Sequence, residues 1–231
     1  MQHASLIALQ KQMVAACIIP AQSNILAQEG LSWLSLDSQY SGNQVFIGGF
    51  YQNREGQQWR LVAQAENQMP YYPGLFCFRE GPPLQAFVRQ LVLQQGLRPH
   101  LIVVDGHGTA HPRGLGLAAW LGLELQIPVL GCAKKNLLPN PPPVGPEAGA
   151  ASPVVYQGKM VGYVWRSKSH TKPLFVSAGH LLSQEEALVF MQGQKGAYRI
   201  PDIQRQADQL ARLHQANETD ESVIQLGNLS L

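Results

Sequence analysis

The stretch HLIVVDGHG, His100 to Gly108, decides the fold. Its apolar run is short and continuous, which is typical of a strand buried on both faces of a sheet. The run ends at Asp105, and the glycines that follow let the backbone turn sharply. In α/β sheets, active sites lie beyond the carboxyl ends of such strands. Asp105 therefore either binds a hard cation or only caps the next helix or makes an Asx-turn.

Strand and helix patterns flank this run on both sides. Three strand-like runs joined by turns precede it, as in consecutive antiparallel strands, and a helix is predicted to begin after Pro82-Pro83. The predicted strands are 31–38, 45–52, 59–65, 100–104, 129–132, 160–166 and 174–177; the predicted helices are 6–17, 84–95, 112–123, 183–192 and 201–213; a surface loop is predicted at 139–153. The fold class is therefore α/β, a mixed sheet with helices on its faces.

Length and composition restrict the possible functions. A chain of 231 residues can bury a sizeable core as one domain. Its formal net charge of +2 argues against a polybasic nucleic-acid binder, so any anion site must be local. The cysteines, Cys17, Cys77 and Cys132, match no zinc pattern. We therefore expect a reducing, cytoplasmic location. No apolar run reaches the roughly 18 to 20 residues of a membrane span.

Two further carboxylates can join Asp105. Asp37 stands late in the first strand-like run, where aspartate is disfavoured, and Glu80 stands just before the predicted helix. Carboxylates on adjacent strands, with a third from near a helix, suit Mg²⁺, which takes oxygen ligands and keeps several waters. Considered singly, Asp37 is a polar residue at a strand end, and Glu80 is a carboxylate that favours the helix dipole.

Basic and imidazole side chains follow other strands and turns. Lys134 and Lys135 come after the strand that ends near Cys132, where a lysine either is solvated or neutralises a phosphate. His111 precedes Pro112-Arg113 and either orients a phosphate or caps a helix. His180 follows an apolar strand, and a histidine in that setting is more often structural than functional when considered alone.

A stiff aromatic loop, Pro70-Tyr71-Tyr72-Pro73-Gly74, precedes Glu80. Two prolines limit the freedom of the loop, so an aromatic tip can insert between stacked bases. An enzyme that inspects a base must take it out of the stack, at a cost of about a few kcal/mol that is lower for a mispaired base. The alternative is a surface turn with two packed tyrosines.

Four ordered segments resemble the endonuclease V family, nucleases that act on deaminated purines. They are MPYYPGLFCFRE (69–80), VVDGHGTAHPRGLGLAAWLGLELQIPVLGCAKKNLL (103–138), PLFVSAGHLLS (173–183) and YRIPDIQRQAD (198–208), and the resemblance covers roughly residues 31–211. It implies a ribonuclease H-like fold, a mixed five-stranded sheet whose first three strands are antiparallel, flanked by helices. We expect a single domain over 1–216 and a flexible C-terminal tail over 217–231.

The resemblance also implies roles for individual residues. Asp37 and Asp105 look like the central metal carboxylates and Glu80 like the third, while Lys134 would lie near the scissile phosphate and His180 would help place metal or water. Tyr71 matches the wedge that opens the duplex. The other implied substrate contacts are Pro70, Tyr72 and Pro73 in the wedge loop, the backbone amides of Gly74, Leu75, Gly106 and Gly108 for a flipped hypoxanthine, and His111 of the HPR motif. Gly114 follows the HPR motif, at a position where the family often has a second basic residue.

The first carboxylate depends on the alignment. One alignment places the family's first strand at Phe46–Phe50, which puts Phe50 where an aspartate belongs and implies an inactive protein. The other uses Leu34-Ser35-Leu36-Asp37 and keeps three strands before the wedge loop. We choose Asp37, although Ser35 then replaces the usual glycine.

The expected function is that of a Mg²⁺-dependent endonuclease, with Mn²⁺ as a possible substitute. It would act on inosine-containing DNA, with inosine-containing RNA as a second candidate substrate, and cut the second phosphodiester bond 3′ to the lesion. We expect a monomer with no membrane association. The alternatives are a catalytically inactive lesion-binding module, a ribonuclease specific for inosine in RNA, and a metal-independent hydrolase that uses Cys132.

Overall fold

The computed structural model describes residues 2–67, 69–219, 223, 224 and 226. Its helices are α1 (Gln2–Met13), α2 (Phe76–Gln95), α3 (Leu117–Leu125), α4 (Gln184–Gly193) and α5 (Asp202–Gln215), and a 3₁₀ turn (Val14–Ala16) follows α1. Its strands are β1 (Trp33–Ser41), β2 (Gln44–Gln52), β3 (Gln58–Glu66), β4 (Leu101–Val104), β5 (Val129–Ala133), β6 (Ala151–Tyr156), β7 (Lys159–Trp165), β8 (Leu174–His180) and β9 (Val223–Ile224). None of the helices in these ranges is long and apolar enough to cross a membrane.

All nine strands of the described chain belong to one sheet, in the order β6-β7-β8-β5-β4-β1-β2-β3-β9. The first three strands pair antiparallel, as predicted. β1 pairs parallel to β4, and β4 pairs parallel to β5. The predicted number of five strands is wrong. The central five strands are extended by β8, β7 and β6 beyond β5, and by β9 beyond β3.

Two apolar layers cover the faces of the sheet. On one face, Leu34 and Leu36 of β1 pack in a cluster with Phe87 of α2 and residues of α3. On the other face, Trp33 packs in a cluster with residues of α4 and α5, such as Leu210. Side chains of a strand alternate between faces, so one strand serves both layers. The edge where β4 and β5 end, beside the middle of β1, lies between the two layers.

Helix α2 begins earlier than predicted and contains Pro82 and Pro83 in its interior. A proline cannot donate the helical hydrogen bond to the carbonyl four residues earlier, so Pro83 leaves the carbonyl of Arg79 free. The side-chain amide of Asn67 donates to that carbonyl and replaces the missing bond. Glu80 therefore lies within the helix and not before it.

Two other predictions differ from the structure. Strand β6 begins inside the predicted surface loop 139–153, because Pro153 and the exposed Val155 can stand in an edge strand that has a neighbour on one side only. In the predicted flexible tail, Val223 and Ile224 pair parallel with Val62 and Ala63 of β3, so this part of the tail is a strand. Residues 220–222, 225 and 227–231 of the tail lie outside the described residues.

Candidate active site

Asp37 and Asp105 lie side by side where β4 ends: Asp105 directly follows β4, and Asp37 stands beside it within β1, which continues to Ser41. Leu36 of β1 pairs with Val104 of parallel β4, and the next residue along each chain is an aspartate. Parallel strands bring their carboxyl ends to the same edge of the sheet. The register therefore places the two carboxylates together at the edge where α/β proteins carry their sites.

The structure does not bring Phe50 to this edge. Phe50 pairs with Ser35, two residues before Asp37. Its ring packs edge to face against Trp33, with the ring centroids 5.6 Å apart, in the layer that faces α4 and α5. The alignment that replaces the first carboxylate by Phe50 thus finds no support in the geometry.

Glu80 reaches the two aspartates from α2. Its side chain is buried. Burial raises the pKa of Glu80 well above its usual value, and the carboxylates of Asp37 and Asp105 raise this pKa further. The three carboxylates that the sequence singled out therefore form one group, although they come from a strand, a helix and a loop.

A fourth carboxylate, Asp208 on α5, joins this group and was missed by the sequence analysis. One of its oxygens accepts a hydrogen bond from Gln39 of β1 at 3.0 Å, and the other accepts one from Arg212 at 2.9 Å. The segment YRIPDIQRQAD, noted above for its resemblance, ends on this residue. Asp208 directly follows the buried Ala207, and this position beside the buried face of α5 was the available signal.

The acidic group is electrostatically strained. The pKa of Asp37 is raised from 3.8 to about 7, first by burial and then by the charge of Asp105, with a weaker contribution from Asp208; Lys134 and an amide hydrogen bond from Ser38 oppose the rise. Carboxylates that disfavour one another's ionised form at this spacing gain stability from a bound cation. The group thus has the chemistry of a cation site.

Lys134 supplies a positive charge at the same edge. Its ammonium nitrogen lies 2.5 Å from Oδ2 of Asp105, and the lysine side chain is 41% exposed. Burial alone would lower the pKa of Lys134, but the carboxylates of Asp105 and Asp37 outweigh this and raise it. The ammonium therefore stays charged and borders the solvent.

The carboxylates do not form a finished coordination shell. Across the described residues, no three His, Cys, Asp or Glu side chains converge closely enough to hold one ion. Asp105 is instead turned to Lys134 in a direct ion pair. To ligate a cation, Asp105 must exchange at least part of this ion pair for the metal.

The wedge loop presents Tyr71 and anchors Tyr72. The side chain of Tyr71 is 61% exposed, and its ring meets Phe76 edge to face, with the centroids 6.5 Å apart. Tyr72 is partly buried, and its ring packs against His3 of α1, with the centroids 5.0 Å apart. Of the two tyrosines of this loop, Tyr71 is therefore the one whose ring is open to solvent.

A cavity of about 350 Å³ opens between the wedge loop and the carboxylates. Its lining includes Tyr71 and Gly74 of the wedge loop, Asp105 and Lys134 of the acidic edge, and Gly106 and His111. The remaining lining residues are Phe76, Cys77, His107, Leu115, Gly116, Leu117, Ala133, Lys135 and Leu137. Burial, with the nearby guanidinium of Arg113, lowers the pKa of His111 to about 4. His111 is therefore neutral at pH 7 and does not act as a phosphate-binding cation.

Two of the four predicted base-reading amides are already engaged. The amide of Leu75 donates to the carbonyl of Tyr72 at 3.0 Å. The amide of Gly108 donates to the hydroxyl of Ser177 at 2.8 Å, because the backbone of Gly108 packs directly on β8. In this structure, therefore, the amides of Leu75 and Gly108 are not open to a base. Gly74 and Gly106 line the cavity, as expected of residues that read a base there.

The N-terminal helix fixes the wedge loop through Gln10, which the sequence analysis missed. The Gln10 side chain is fully buried. Its amide nitrogen donates to the carbonyls of Gly74 at 3.0 Å and of Leu115 at 2.7 Å, and its oxygen accepts from Arg113. Arg113 in turn donates to the carbonyl of Gly74. A single glutamine thus ties the wedge loop to one wall of the cavity.

His180 lies at the wrong end of the sheet for its predicted role. β8 runs antiparallel to β5, so His180 pairs with Val129 at the start of β5, whereas Lys134 follows the end of that strand. Nδ1 of His180 accepts a hydrogen bond from the amide of Ile18 at 3.2 Å, and burial lowers its pKa. His180 is therefore a structural residue that anchors the segment after α1.

These features define a ribonuclease H-like α/β protein with an acidic site at an edge of the sheet and an exposed tyrosine loop beside it. Solved structures share this architecture. Endonuclease V from Streptomyces avermitilis is 30% identical over 93% of both chains, with a TM-score of 0.80. Human ENDOV is 25% identical over 93% of this chain and 98% of its own, also with a TM-score of 0.80. Endonuclease V from Ciona intestinalis, solved with a 24mer DNA that contains an inosine followed by a ribo-adenosine, is 22% identical over 94% of this chain and 99% of its own, with a TM-score of 0.79.

The family model described as Endonuclease V matches residues 46–209. The chain belongs to the endonuclease V family. The matched range includes Glu80, Asp105, Lys134 and Asp208 but begins after Asp37, so the strand register and not the family match places Asp37 in the site.

Replacing Gln10 by methionine is expected to destabilise the protein by roughly 2–3 kcal/mol. The substitution keeps the volume but leaves the buried Leu115 carbonyl without its donor and Nε of Arg113 without its acceptor, and such unsatisfied groups cost about 1–3 kcal/mol each. Urea denaturation measures the change. The exposed Gln12 on the same helix gives the matched control, Gln12→Met. Equal stability of the two variants would contradict the role of Gln10.

Proposed function

We propose that this protein is a divalent-cation-dependent endonuclease that cuts nucleic acid beside a deaminated purine. The observation that carries the proposal is the placement of four carboxylates, from β1, α2, the end of β4 and α5, beside Lys134 and an open cavity. Membership of the endonuclease V family and the inosine-containing DNA bound to the Ciona intestinalis relative support it.

Asp37, Glu80, Asp105 and Asp208 would hold Mg²⁺, and Mn²⁺ could replace it. All the ligands are oxygens, the donors that Mg²⁺ prefers. The pKa values of Asp37 and Glu80 are raised first by burial and then by neighbouring carboxylates, which supports a site that a bound cation would stabilise. When bound, the cation would polarise the phosphate and help a water to lose its proton.

The residues of the chain would arrange a hydrolysis at phosphorus. A water oxygen forms a bond to phosphorus, the bond from phosphorus to the 3′ oxygen breaks, and that oxygen leaves with a proton as a 3′-hydroxyl, so a 5′-phosphate remains on the other fragment. The ammonium of Lys134 would turn from Asp105 towards the phosphate and offset the charge that develops on its oxygens.

The wedge and the cavity would select the lesion. Tyr71 would replace the stacking that is lost when a base leaves the duplex, and a mispaired base costs less to extrude. The cavity of about 350 Å³ falls within the range of small-molecule pockets. Because it borders Asp105 and Lys134, a base held there would bring the nearby backbone to the carboxylates.

Cys132 offers no alternative chemistry. Burial raises the pKa of its thiol well above the usual value, and the charge of Asp105 raises it further. A thiol that stays protonated is a poor nucleophile. The site supports hydrolysis by an activated water and not by a cysteine.

A labelled duplex with one deoxyinosine, incubated with Mg²⁺, tests the proposal. We expect a single cut at the second phosphodiester bond 3′ to the lesion, with 3′-hydroxyl and 5′-phosphate ends. An adenosine duplex of the same sequence is the control, and an inosine-containing RNA strand shows whether a 2′-hydroxyl is tolerated. Binding without any cut would indicate a lesion reader that lacks catalysis, and equal cutting of both duplexes would refute lesion recognition.

Mg²⁺ affinity is expected to rise with pH and to level off above about pH 7. Below that pH, Asp37 carries a proton because its pKa is raised to about 7, and that proton must leave before the carboxylate can bind a cation. Titration calorimetry at pH 6 in two buffers of different ionisation enthalpy counts the protons released. We expect close to one or more per cation at pH 6 and fewer at pH 8. No proton release at pH 6 would contradict the assignment.

A further inference from the structure

An exposed aromatic side chain outside the cavity carries a stacked guanidinium. The ring of Tyr198 lies under the guanidinium of Arg205, whose central carbon is 3.6 Å from the ring centroid. Tyr198 is nevertheless 55% exposed. Because one ring face is covered and more than half of the residue still meets solvent, the other face is open.

This pair is held in place by an ion pair and by backbone contacts. Arg205 also bonds to Asp202 at 3.1 Å, one turn earlier on α5. The neighbouring Arg199 donates to the carbonyls of Lys172 at 2.6 Å and Lys134 at 3.1 Å. The loop that carries Tyr198 is therefore bonded directly to the backbone of Lys134, in the loop after β5.

The pair lies on the opposite face of the sheet from the cavity. The cavity is lined by Cys77 and Leu117, which belong to the apolar layer of α2 and α3. Tyr198 precedes α5, whose Ile203 belongs to the other layer. The carboxylates stand at the sheet edge between the two faces. A strand with one base in the cavity would cross this edge and then reach Tyr198.

Positive charge is concentrated around the pair. The loop before α5 and the adjoining β7–β8 loop carry five cationic side chains, from Arg166, Lys168, Lys172, Lys195 and Arg199, and Arg205 of α5 adds a sixth. Lys168 donates to the carbonyl of Ala197 at 2.7 Å, which joins the two loops. Two acids border these loops: Asp202 is paired with Arg205, and Glu147 accepts a hydrogen bond from Ser169 of the β7–β8 loop. The surface suits a phosphate backbone that carries an unstacked base.

We propose that Tyr198 and Arg205 form a stacking platform for one base of the cleaved strand, on the far side of the scissile bond from the lesion. This inference rests on the proposed function, because that function supplies the strand and its polarity. The open face of Tyr198 takes the base, while Arg205 supports the ring from behind and Arg199 and Lys172 meet the backbone phosphates. Aromatic stacking of this kind tolerates any base.

Scanning with a fluorescent base tests the platform. 2-Aminopurine is placed in turn at each of the first five positions 3′ to the deoxyinosine, and its fluorescence is measured on binding with EDTA present, so that metal-dependent cutting does not occur. We expect quenching by stacking at one position beyond the cut, kept in Tyr198→Phe and lost in Tyr198→Ala. Binding of the Tyr198→Ala variant should weaken roughly 5- to 100-fold.

An abasic residue at the quenched position gives the matched control. The abasic residue should weaken binding by the wild type by the same factor and leave binding by Tyr198→Ala unchanged, because the abasic residue and the substitution remove the same stacking contact. Unchanged inosine-selective binding and quenching in a folded Tyr198→Ala variant would overturn the platform and leave the proposed function intact. Binding that depends on Tyr198 but does not prefer inosine would refute the proposed function alone. Binding that neither prefers inosine nor depends on Tyr198 would overturn the proposed function and the platform.

Discussion

Replacing Asp37 by asparagine is expected to lower the cleavage rate by on the order of 10³-fold or more and, at the same time, to stabilise the metal-free protein at pH 8. The loss of rate follows because a neutral amide binds a cation more weakly than a carboxylate does, and the bound cation would stabilise the transition state. The gain in stability follows because the carboxylate is held in an unfavourable place, among Glu80, Asp105 and Asp208.

The sign of the stability effect comes from the pKa of Asp37. Folding raises this pKa from 3.8 to about 7, so the folded protein binds the proton more tightly than the unfolded chain does. Stability is therefore lost as pH rises from about 4 to about 7, at most by roughly 4 kcal/mol at 1.4 kcal/mol per pKa unit. The asparagine variant does not pass through this loss.

Thermal unfolding with EDTA at pH 4.5 and pH 8 measures the effect. The advantage of Asp37→Asn over the wild type should be several degrees larger at pH 8 than at pH 4.5. Added Mg²⁺ should raise the melting temperature of the wild type at pH 8 and leave the variant nearly unchanged. The exposed Glu55 provides the control, Glu55→Gln, for which we expect no such difference. A variant that melts below the wild type at pH 8 would contradict the electrostatic account.

Replacing Gly48 by alanine is expected to cost roughly 3 kcal/mol or more and to reduce cleavage as well. Gly48 of β2 pairs with Asp37. A Cβ at Gly48 would overlap the carbonyl of Ala207 and crowd the backbone nitrogen of Ala211. Backbone atoms of α5 cannot yield as a flexible side chain can, so the helix must move away, and overpacking of this kind costs about 1–3 kcal/mol or more.

The displacement of α5 also has a functional consequence. Asp208 is the residue after Ala207, so a shift of the helix carries its carboxylate away from Asp37. Urea denaturation and single-turnover cleavage measure the two effects together. Gly193 in α4 has no atom near its would-be Cβ, so Gly193→Ala should be neutral or slightly stabilising. If Gly48→Ala matched that control in stability, the close approach of α5 would be refuted.

Much of the site follows from local sequence signals. Asp37 and Asp105 each end an apolar strand pattern, and strands that run parallel bring such ends together. Glu80 and Tyr71 could be placed because both lie in the segment MPYYPGLFCFRE. The candidate residues that the structure brings to this edge are those whose position depends on one strand or on one short segment.

Residues whose position depends on pairing between distant strands were not placed. His180 ends an apolar strand just as Asp105 does, but β8 is antiparallel and brings it to the other edge of the sheet. Strand direction is a property of the whole sheet and leaves no mark near His180. Asp208 and Gln10 depend on how α5 and α1 dock, which no periodicity within either helix specifies. The prolines of α2 led to a predicted helix start that is too late, because the hydrogen bond that replaces the missing helical one comes from Asn67, outside the helix.

The central claim is that the carboxylates at the sheet edge form a cation-dependent nuclease centre. The most direct test measures the single-turnover rate constant for cutting a deoxyinosine duplex with Mg²⁺, with Mn²⁺ and with EDTA. The account predicts cutting with either cation, none with EDTA, and recovery when Mg²⁺ is restored in excess. An equal rate in EDTA, or no cutting with either cation by folded protein that binds the duplex, would contradict it.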